Sequence, residues 1–98
     1  MADASHLVLA HYHPADDQHT TVLALLEQLA AASRDEPGNR GYDYYLSPDG
    51  SDEILIVERY GSAADFVAHR ESEHFRHLGV QQIIPLLARR WIEEFPLR

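Results

Sequence analysis

Apolar residues recur with two different periods along this chain, and each change of period marks a new element. The segment Ser5–His13 is rich in β-forming residues and stops at Pro14, which predicts a first strand. The helical spacing i, i+3, i+4, i+7 follows, which predicts a helix with an apolar face of Val22, Leu25, Leu26 and Leu29. Asp16 or Asp17 is expected to cap this helix, and Pro37-Gly38 to end it.

A hairpin is predicted next. Tyr42–Leu46 alternates apolar and polar residues, residues 47–51 have turn composition, and Ile54–Val57 is apolar throughout. A strand that is apolar on both faces must be covered on both faces. Since two helical regions cover only one face of a sheet, we expect a second subunit or a ligand on the other.

The second helical region is predicted to be broken. Ser62 followed by Asp65 forms a weak capping box for a first short helix, and Ser72 begins another. Residues 81–88 extend it beyond Gly79, with Pro85 expected to force a kink or a fresh start.

Arg90–Phe95 is predicted as a closing strand that ends before Pro96. The order β-α-β-β-α-β predicts an α+β, ferredoxin-like fold, in which an antiparallel sheet carries both helices on one face. We predict one domain over residues 1–98, with residues 1–4 disordered. The bare face of the sheet should pair with its copy in a barrel-like homodimer, leaving a cavity between sheet and helices in each subunit.

The charge of the chain limits its partners. A net charge of −8 repels phosphate backbones and anionic membrane surfaces, so neither nucleic acid nor membrane is an expected partner. No apolar run approaches the ~20 residues that a membrane span needs. The first residues lack the features of an export signal, which predicts a cytoplasmic location.

Two missing residue types exclude whole classes of enzyme chemistry. Without cysteine the chain has no thiolate nucleophile, thiolate zinc site or iron–sulfur cluster. Without lysine it has no Schiff base and no P-loop lysine. Proton transfer is left to seven histidines, the carboxylates and five tyrosines.

Glu58 is the first candidate for such chemistry. Strand alternation places it on the same face as Ile54 and Ile56, where burial would raise its pKa unless it finds a hydrogen-bond donor. A nearby imidazole would make it functional, whereas pairing with Arg59 or Arg70 would make it structural.

His69 and His74 flank the break between the two short helices and could both face a cavity mouth. The alternative is that each is an exposed histidine at a helix end. The pairs His11/His13 and His74/His77 have spacings found in metal sites, but the sequence offers neither a third ligand nor orienting groups, so no metal is expected.

Aromatic residues are spread over several elements that this fold would bring together. They could form the wall of a cavity for a flat aromatic ligand, or they could simply belong to the core. Core is the safer interpretation for Phe66, Phe75 and Trp91. The candidates are Tyr42, Tyr44, Tyr60, Phe66, Phe75 and Trp91.

Three segments together resemble a known family. Residues 36–45 (EPGNRGYDYY), 58–60 (ERY) and 68–75 (AHRESEHF) are similar to the antibiotic biosynthesis monooxygenase domain, and with the strand order the resemblance covers nearly the whole chain. It implies the dimeric α/β-barrel arrangement. It does not fix the reaction, because the family includes monooxygenases, haem-degrading enzymes and isomerases.

The haem-degrading branch of this family fits poorly. That branch uses an asparagine on the first strand, a tryptophan ending the first short helix and a histidine on the next. Here the first strand has no asparagine, while His69 and about Gly79 stand in the other two places. Haem degradation is therefore disfavoured, and no cofactor is expected.

The resemblance thus implies a cofactor-independent monooxygenase that oxidises a phenolic, hydroquinone or polycyclic aromatic substrate with molecular oxygen. In this hypothesis His69 or His74 is the base or proton shuttle, Glu58 orients or charges it, and Tyr44 or Tyr60 donates to a substrate oxygen. Phe66, Phe75 and Trp91 complete the candidate substrate-binding set. The alternatives are an isomerase or lyase acting on a small oxygenated metabolite, and a non-catalytic dimeric domain that binds a small molecule.

Overall fold

The computed structural model describes residues 5–97, so the predicted disorder of residues 1–4 lies outside the described residues. The elements in chain order are β1 (Ser5–Pro14), α1 (His19–Arg34), β2 (Asn39–Leu46), β3 (Ile54–Tyr60), α2 (Ala63–Arg70), α3 (Phe75–Ile83) and β4 (Leu87–Leu97). The helix α3 is π-helical, and a 3₁₀ turn at Ile84–Leu86 joins it to β4. The predicted order β-α-β-β-α-β, with its second helical region broken, is confirmed.

The four strands form one antiparallel sheet in the order β2-β3-β1-β4. This is the ferredoxin-like arrangement expected from the sequence. In this sheet Glu58 on β3 is paired with Val8 on one side and Tyr42 on the other. The register therefore places a carboxylate on an inner strand of the sheet, with a neighbouring strand on each side.

The helices cover one face of the sheet. Even-numbered residues of β1 and β3 are buried on that face, while the odd-numbered ones are partly or fully exposed on the other. The apolar stripe of α1 packs into the main core, as its spacing predicts. Of its predicted members, Val22, Leu26 and Leu29 are fully buried and Leu25 is partly buried, and Ala30 is buried beside them.

Two helix starts differ in how well the sequence predicted them. Ser62 caps α2 as expected, since its hydroxyl accepts a hydrogen bond from the Asp65 backbone N–H at 3.2 Å. The predicted cap of α1 is wrong. Gln18 occupies that position and no side chain caps the helix, because Asp17 adopts a turn conformation with φ of +65° outside it.

The closing strand is longer than predicted. It begins at Leu87 and continues through Pro96 to Leu97. The expectation that Pro96 would end it is wrong, and β4 is an edge strand, where proline is tolerated at positions whose N–H would face solvent. None of the helices within residues 5–97 has the length and apolar character needed to cross a membrane.

Candidate functional site

A cavity of about 220 Å³ lies between the sheet and the helices α2 and α3. Phe66 and Phe75 form much of its apolar wall. Five polar side chains also line it: Tyr12, Glu58, His69, Arg70 and Arg90. The cavity therefore combines an aromatic wall with acid, base and cationic groups, which is typical of a small-molecule site.

Glu58 is the buried carboxylate of this cavity, with 4% of its surface exposed. Its Oε1 accepts a hydrogen bond of 2.6 Å from the Tyr60 hydroxyl. Burial raises the pKa of Glu58 to about 7, although the Tyr60 hydrogen bond opposes the rise. The alternative partner Arg59 is exposed on the opposite face of β3, so it does not neutralise Glu58.

His69 at the end of α2 is held between two carboxylates and is 2% exposed. Its Nδ1 lies 2.7 Å from Glu36 Oε2, and its Nε2 lies 3.7 Å from Glu58 Oε1. Burial lowers the pKa of His69, and Glu36 only partly opposes this shift. At neutral pH the ring is therefore uncharged, with Nδ1–H donating to Glu36 and Nε2 on the side of Glu58, which also lines the cavity.

Glu36 is a residue of this site to which the sequence analysis gave no role. It follows α1, and the same Oε2 that accepts from His69 also accepts from Nε2 of His74. The Glu36 side chain is 13% exposed and that of His74 is 24% exposed. The four side chains thus form a continuous series from the cavity to the surface, in the order Glu58, His69, Glu36 and His74.

Three of these residues have the chemistry of a metal site. One ligand atom from each of Glu36, His69 and His74 lies within 4.8 Å of the others. Two imidazoles and a carboxylate suit zinc or iron. In the structure the same atoms are engaged in the two hydrogen bonds to Glu36 Oε2, so an ion would have to replace both donated protons. That no metal is bound remains a prediction.

The histidine pairs whose spacing resembles that of metal sites, His11/His13 and His74/His77, have different surroundings. His11 contacts Glu53 and Glu93 on the outer face of the sheet, and both His11 and His13 stack on Trp91. His77 is exposed on α3 and lies near Gln82.

The structure separates the predicted site residues into two groups. Glu58, His69, Phe66 and Phe75 line the cavity. The Tyr60 hydroxyl donates a hydrogen bond to Glu58, and His74 is linked to His69 by their shared hydrogen-bond acceptor, Glu36.

Tyr44 and Trp91 lie elsewhere. Tyr44 packs against the main core and is paired with Ile56, whereas Tyr42 is the β2 residue paired with Glu58. Trp91 pairs with His11, whose side chain lies on the face away from the helices, and the two rings stack at 4.5 Å. The cavity was correctly expected between sheet and helices, but these two residues do not line it.

Three polar lining residues were not predicted as part of the site. Tyr12 alternates with Ala10 on the buried face of β1, and burial together with Glu58 raises its pKa to about 12. Arg70 follows His69 directly, and Arg90 pairs with Tyr12 across the sheet. Alternation along β1 was a usable signal for Tyr12, whereas the placement of Arg90 required the register of β4.

Comparison with known proteins supports the family resemblance. The model of the family "Antibiotic biosynthesis monooxygenase" matches residues 5–79. The chain belongs to this family. It is 36% identical over 74 residues to Rv0793 of Mycobacterium tuberculosis, described as a candidate monooxygenase, with 76% of this chain and 72% of that protein covered.

Solved structures of the family share the fold. The structure of Rv0793 matches with a TM-score of 0.85 at 33% identity, covering 93% of this chain and 92% of that one. A candidate antibiotic biosynthesis monooxygenase from Nitrosomonas europaea matches with a TM-score of 0.89 at 18% identity, covering 98% and 92% of the two chains. At such low identity the second match shows the fold alone.

Proposed function

We propose that this family member is a monooxygenase that uses molecular oxygen to oxidise a phenolic, hydroquinone or polycyclic aromatic substrate without a cofactor. The observation that carries this proposal is the state of His69. It is an uncharged, buried imidazole that lines an aromatic-walled cavity, with Nδ1 held by Glu36 and Nε2 on the side of Glu58. Such a group is a suitable base for a phenolic proton.

The proposed reaction begins with transfer of the phenolic proton to Nε2 of His69. The phenolate is electron-rich enough to give an electron to oxygen, and recombination of the two radicals forms a carbon–oxygen bond. The peroxide formed takes back the proton from His69, and loss of water together with the hydrogen of that carbon leaves one oxygen atom in the new quinone carbonyl and the other in water. The protein contributes the base and the alignment of substrate with oxygen.

The other polar residues of the cavity assist this transfer. Glu58 lies 3.7 Å from His69 Nε2, and with a pKa of about 7 it can take up or return a proton near neutral pH. Tyr60 donates to Glu58 and fixes its orientation. We assign to Tyr12, which lines the cavity, the role of donor to a substrate oxygen that the sequence analysis gave to Tyr44 or Tyr60.

A homodimer is part of the proposal. The sheet face opposite the helices carries partly exposed apolar residues of three adjacent strands, among them Leu9, Val57 and Phe95. A second copy of the chain would cover this face across a two-fold axis, as expected for a domain of this size. The cytoplasmic location remains a prediction that cell fractionation can check.

The test is oxygen uptake by chelator-treated protein with a panel of hydroquinones, anthrones and polycyclic phenols, after subtraction of spontaneous oxidation. We expect protein-dependent uptake, and a fall in kcat of about 10²-fold or more for His69→Gln. His77→Gln is the control, because His77 is exposed outside the cavity. Substrate conversion without oxygen uptake would identify an isomerase or lyase, and ligand protection without turnover would identify a binding domain.

A further inference from the structure

The cavity contains two cations that the proposed proton transfer does not use. Arg70 lines it from the end of α2, and Arg90 lines it from β4. Within residues 5–97 neither guanidinium forms an ion pair with a carboxylate, whereas Arg34 and Arg76 each do. Two of the eight basic residues of a chain with net charge −8 therefore line the same cavity unpaired.

Both side chains are positioned by their own elements. The guanidinium of Arg70 lies over the ring of Phe66, with its Cζ 5.6 Å from the ring centroid. Arg90 is paired with Tyr12 on the helix-covered face of the sheet, and its charge acts on the Tyr12 hydroxyl. The neighbouring Arg89 lies instead over Trp91 on the opposite face. Strand alternation thus directs Arg90 to the cavity and Arg89 to the opposite face.

We propose that Arg70 and Arg90 form a subsite for a carboxylate group, so that the substrate is an aromatic phenol or hydroquinone carrying a carboxylate. Guanidinium groups present paired N–H donors that match the two oxygens of a carboxylate. The aromatic ring would lie against Phe66 and Phe75, with its phenolic oxygen at His69 and its carboxylate at the two arginines.

The charge of the whole chain supports this assignment. An excess of eight negative charges repels an anionic ligand, and Glu58 adds to that repulsion when it is ionised. An uncharged phenol would need no compensating cation in the cavity. Two unpaired arginines on the cavity wall supply that compensation, and the 220 Å³ of the cavity accommodates a compound of one or two rings.

This inference rests on the proposed function only for the placement of the phenolic oxygen, so its test measures binding. Titration calorimetry would compare 2,5-dihydroxybenzoate with 2,5-dihydroxybenzamide, which has similar size and no charge. We expect the wild-type protein to bind the acid about tenfold more tightly or better, and this preference to shrink as salt is added.

The variants are Arg70→Gln with Arg90→Gln, with Arg76→Gln as control because Arg76 is exposed and paired with Glu73. The double substitution should remove the preference for the acid and leave amide binding unchanged, and a far-UV circular dichroism spectrum should verify folding. Arg70→Lys with Arg90→Lys should retain part of the preference.

Equal affinity of wild type for acid and amide would overturn the subsite, even if uncharged hydroquinones are oxidised. A preference for the acid that depends on both arginines, without oxygen uptake, would uphold the subsite and count against the monooxygenase.

Discussion

At the residue scale the site is a row of ionisable side chains whose properties follow from burial. Glu58 and His69 are almost fully buried, so desolvation favours the uncharged form of each and moves their pKa values in opposite directions. A carboxylate near pKa 7 beside an uncharged imidazole is poised to exchange a proton at neutral pH.

Burial of Glu58 also makes folding stability depend on pH. Its pKa rises from 4.5 in the unfolded chain to about 7 in the folded one, so the folded state holds this proton more tightly. The resulting stabilisation is complete below pH 4.5 and is lost as pH rises through about 7, a decline of about 3 kcal/mol. Urea unfolding of wild type and Glu58→Gln at pH 5 and 8 checks this, since the variant should lack that part of the decline. Parallel pH dependences in the two proteins would contradict it.

Glu36 is expected to act through His69 as a positioning residue. Glu36→Gln should lower kcat, because the amide can present its NH₂ group to Nδ1 and favour the wrong tautomer. Since Glu36 raises the pKa of His69, the variant should also shift the acidic limb of the kcat/KM profile to lower pH. A pH–rate profile measures both effects. A purely structural role would leave the limb in place.

At the element scale the site depends on how the segment after α1 meets the start of α2. The backbone N–H of Gly61 donates to the Gly38 carbonyl at 2.9 Å, and a Cβ at Gly38 would lie 2.2 Å from Asp65 Cγ. This close approach brings the loop that contains Glu36 against the helix that contains His69. Two short segments distant in sequence thereby create the hydrogen bond between those residues.

Gly38→Ala should separate these segments. The added methyl group overlaps Asp65, so we expect a loss of stability of about 1 to 3 kcal/mol together with reduced turnover. Gly41→Ala is the matched control, because its Cβ would meet Arg59 at an ordinary 3.7 Å. Chemical denaturation and oxygen uptake measure the two effects. Equal stability of both variants would show that the loop adjusts freely.

At the scale of the whole molecule, the helices of residues 5–97 cover one face of the sheet and leave the outer face uncovered. Its apolar residues lie on the adjacent strands β1, β3 and β4, and the bonded pair His11 and Glu93 lies among them, opposite Trp91 and Leu9 respectively. A face of this kind on a small domain favours association with a second copy.

Sedimentation equilibrium should therefore give twice the chain mass of 11.2 kDa. Leu9→Arg places a charge in the middle of the proposed interface and should yield monomers. Val67→Arg is the control, since Val67 is exposed on α2 away from that face. A monomeric wild-type protein would refute the proposed dimer.

The sequence by itself determined the elements and most of the fold, because these depend on periodicity and local composition. The alternation along β3 put Glu58 on the buried face, and the spacing on α1 identified the core stripe. The segment at 68–75 offered His69 and His74 alike, and only the structure places His69 on the cavity wall.

The tertiary structure decided which of these residues meet, because the meeting depends on register and loop path rather than on local pattern. Glu36 reaches His69 across 33 positions, and the pairing of β4 with β1 alone turns Arg90 towards the cavity and Trp91 away from it. One residue of register shift would exchange those two, which is why the sequence could place Trp91 at the site and miss Arg90.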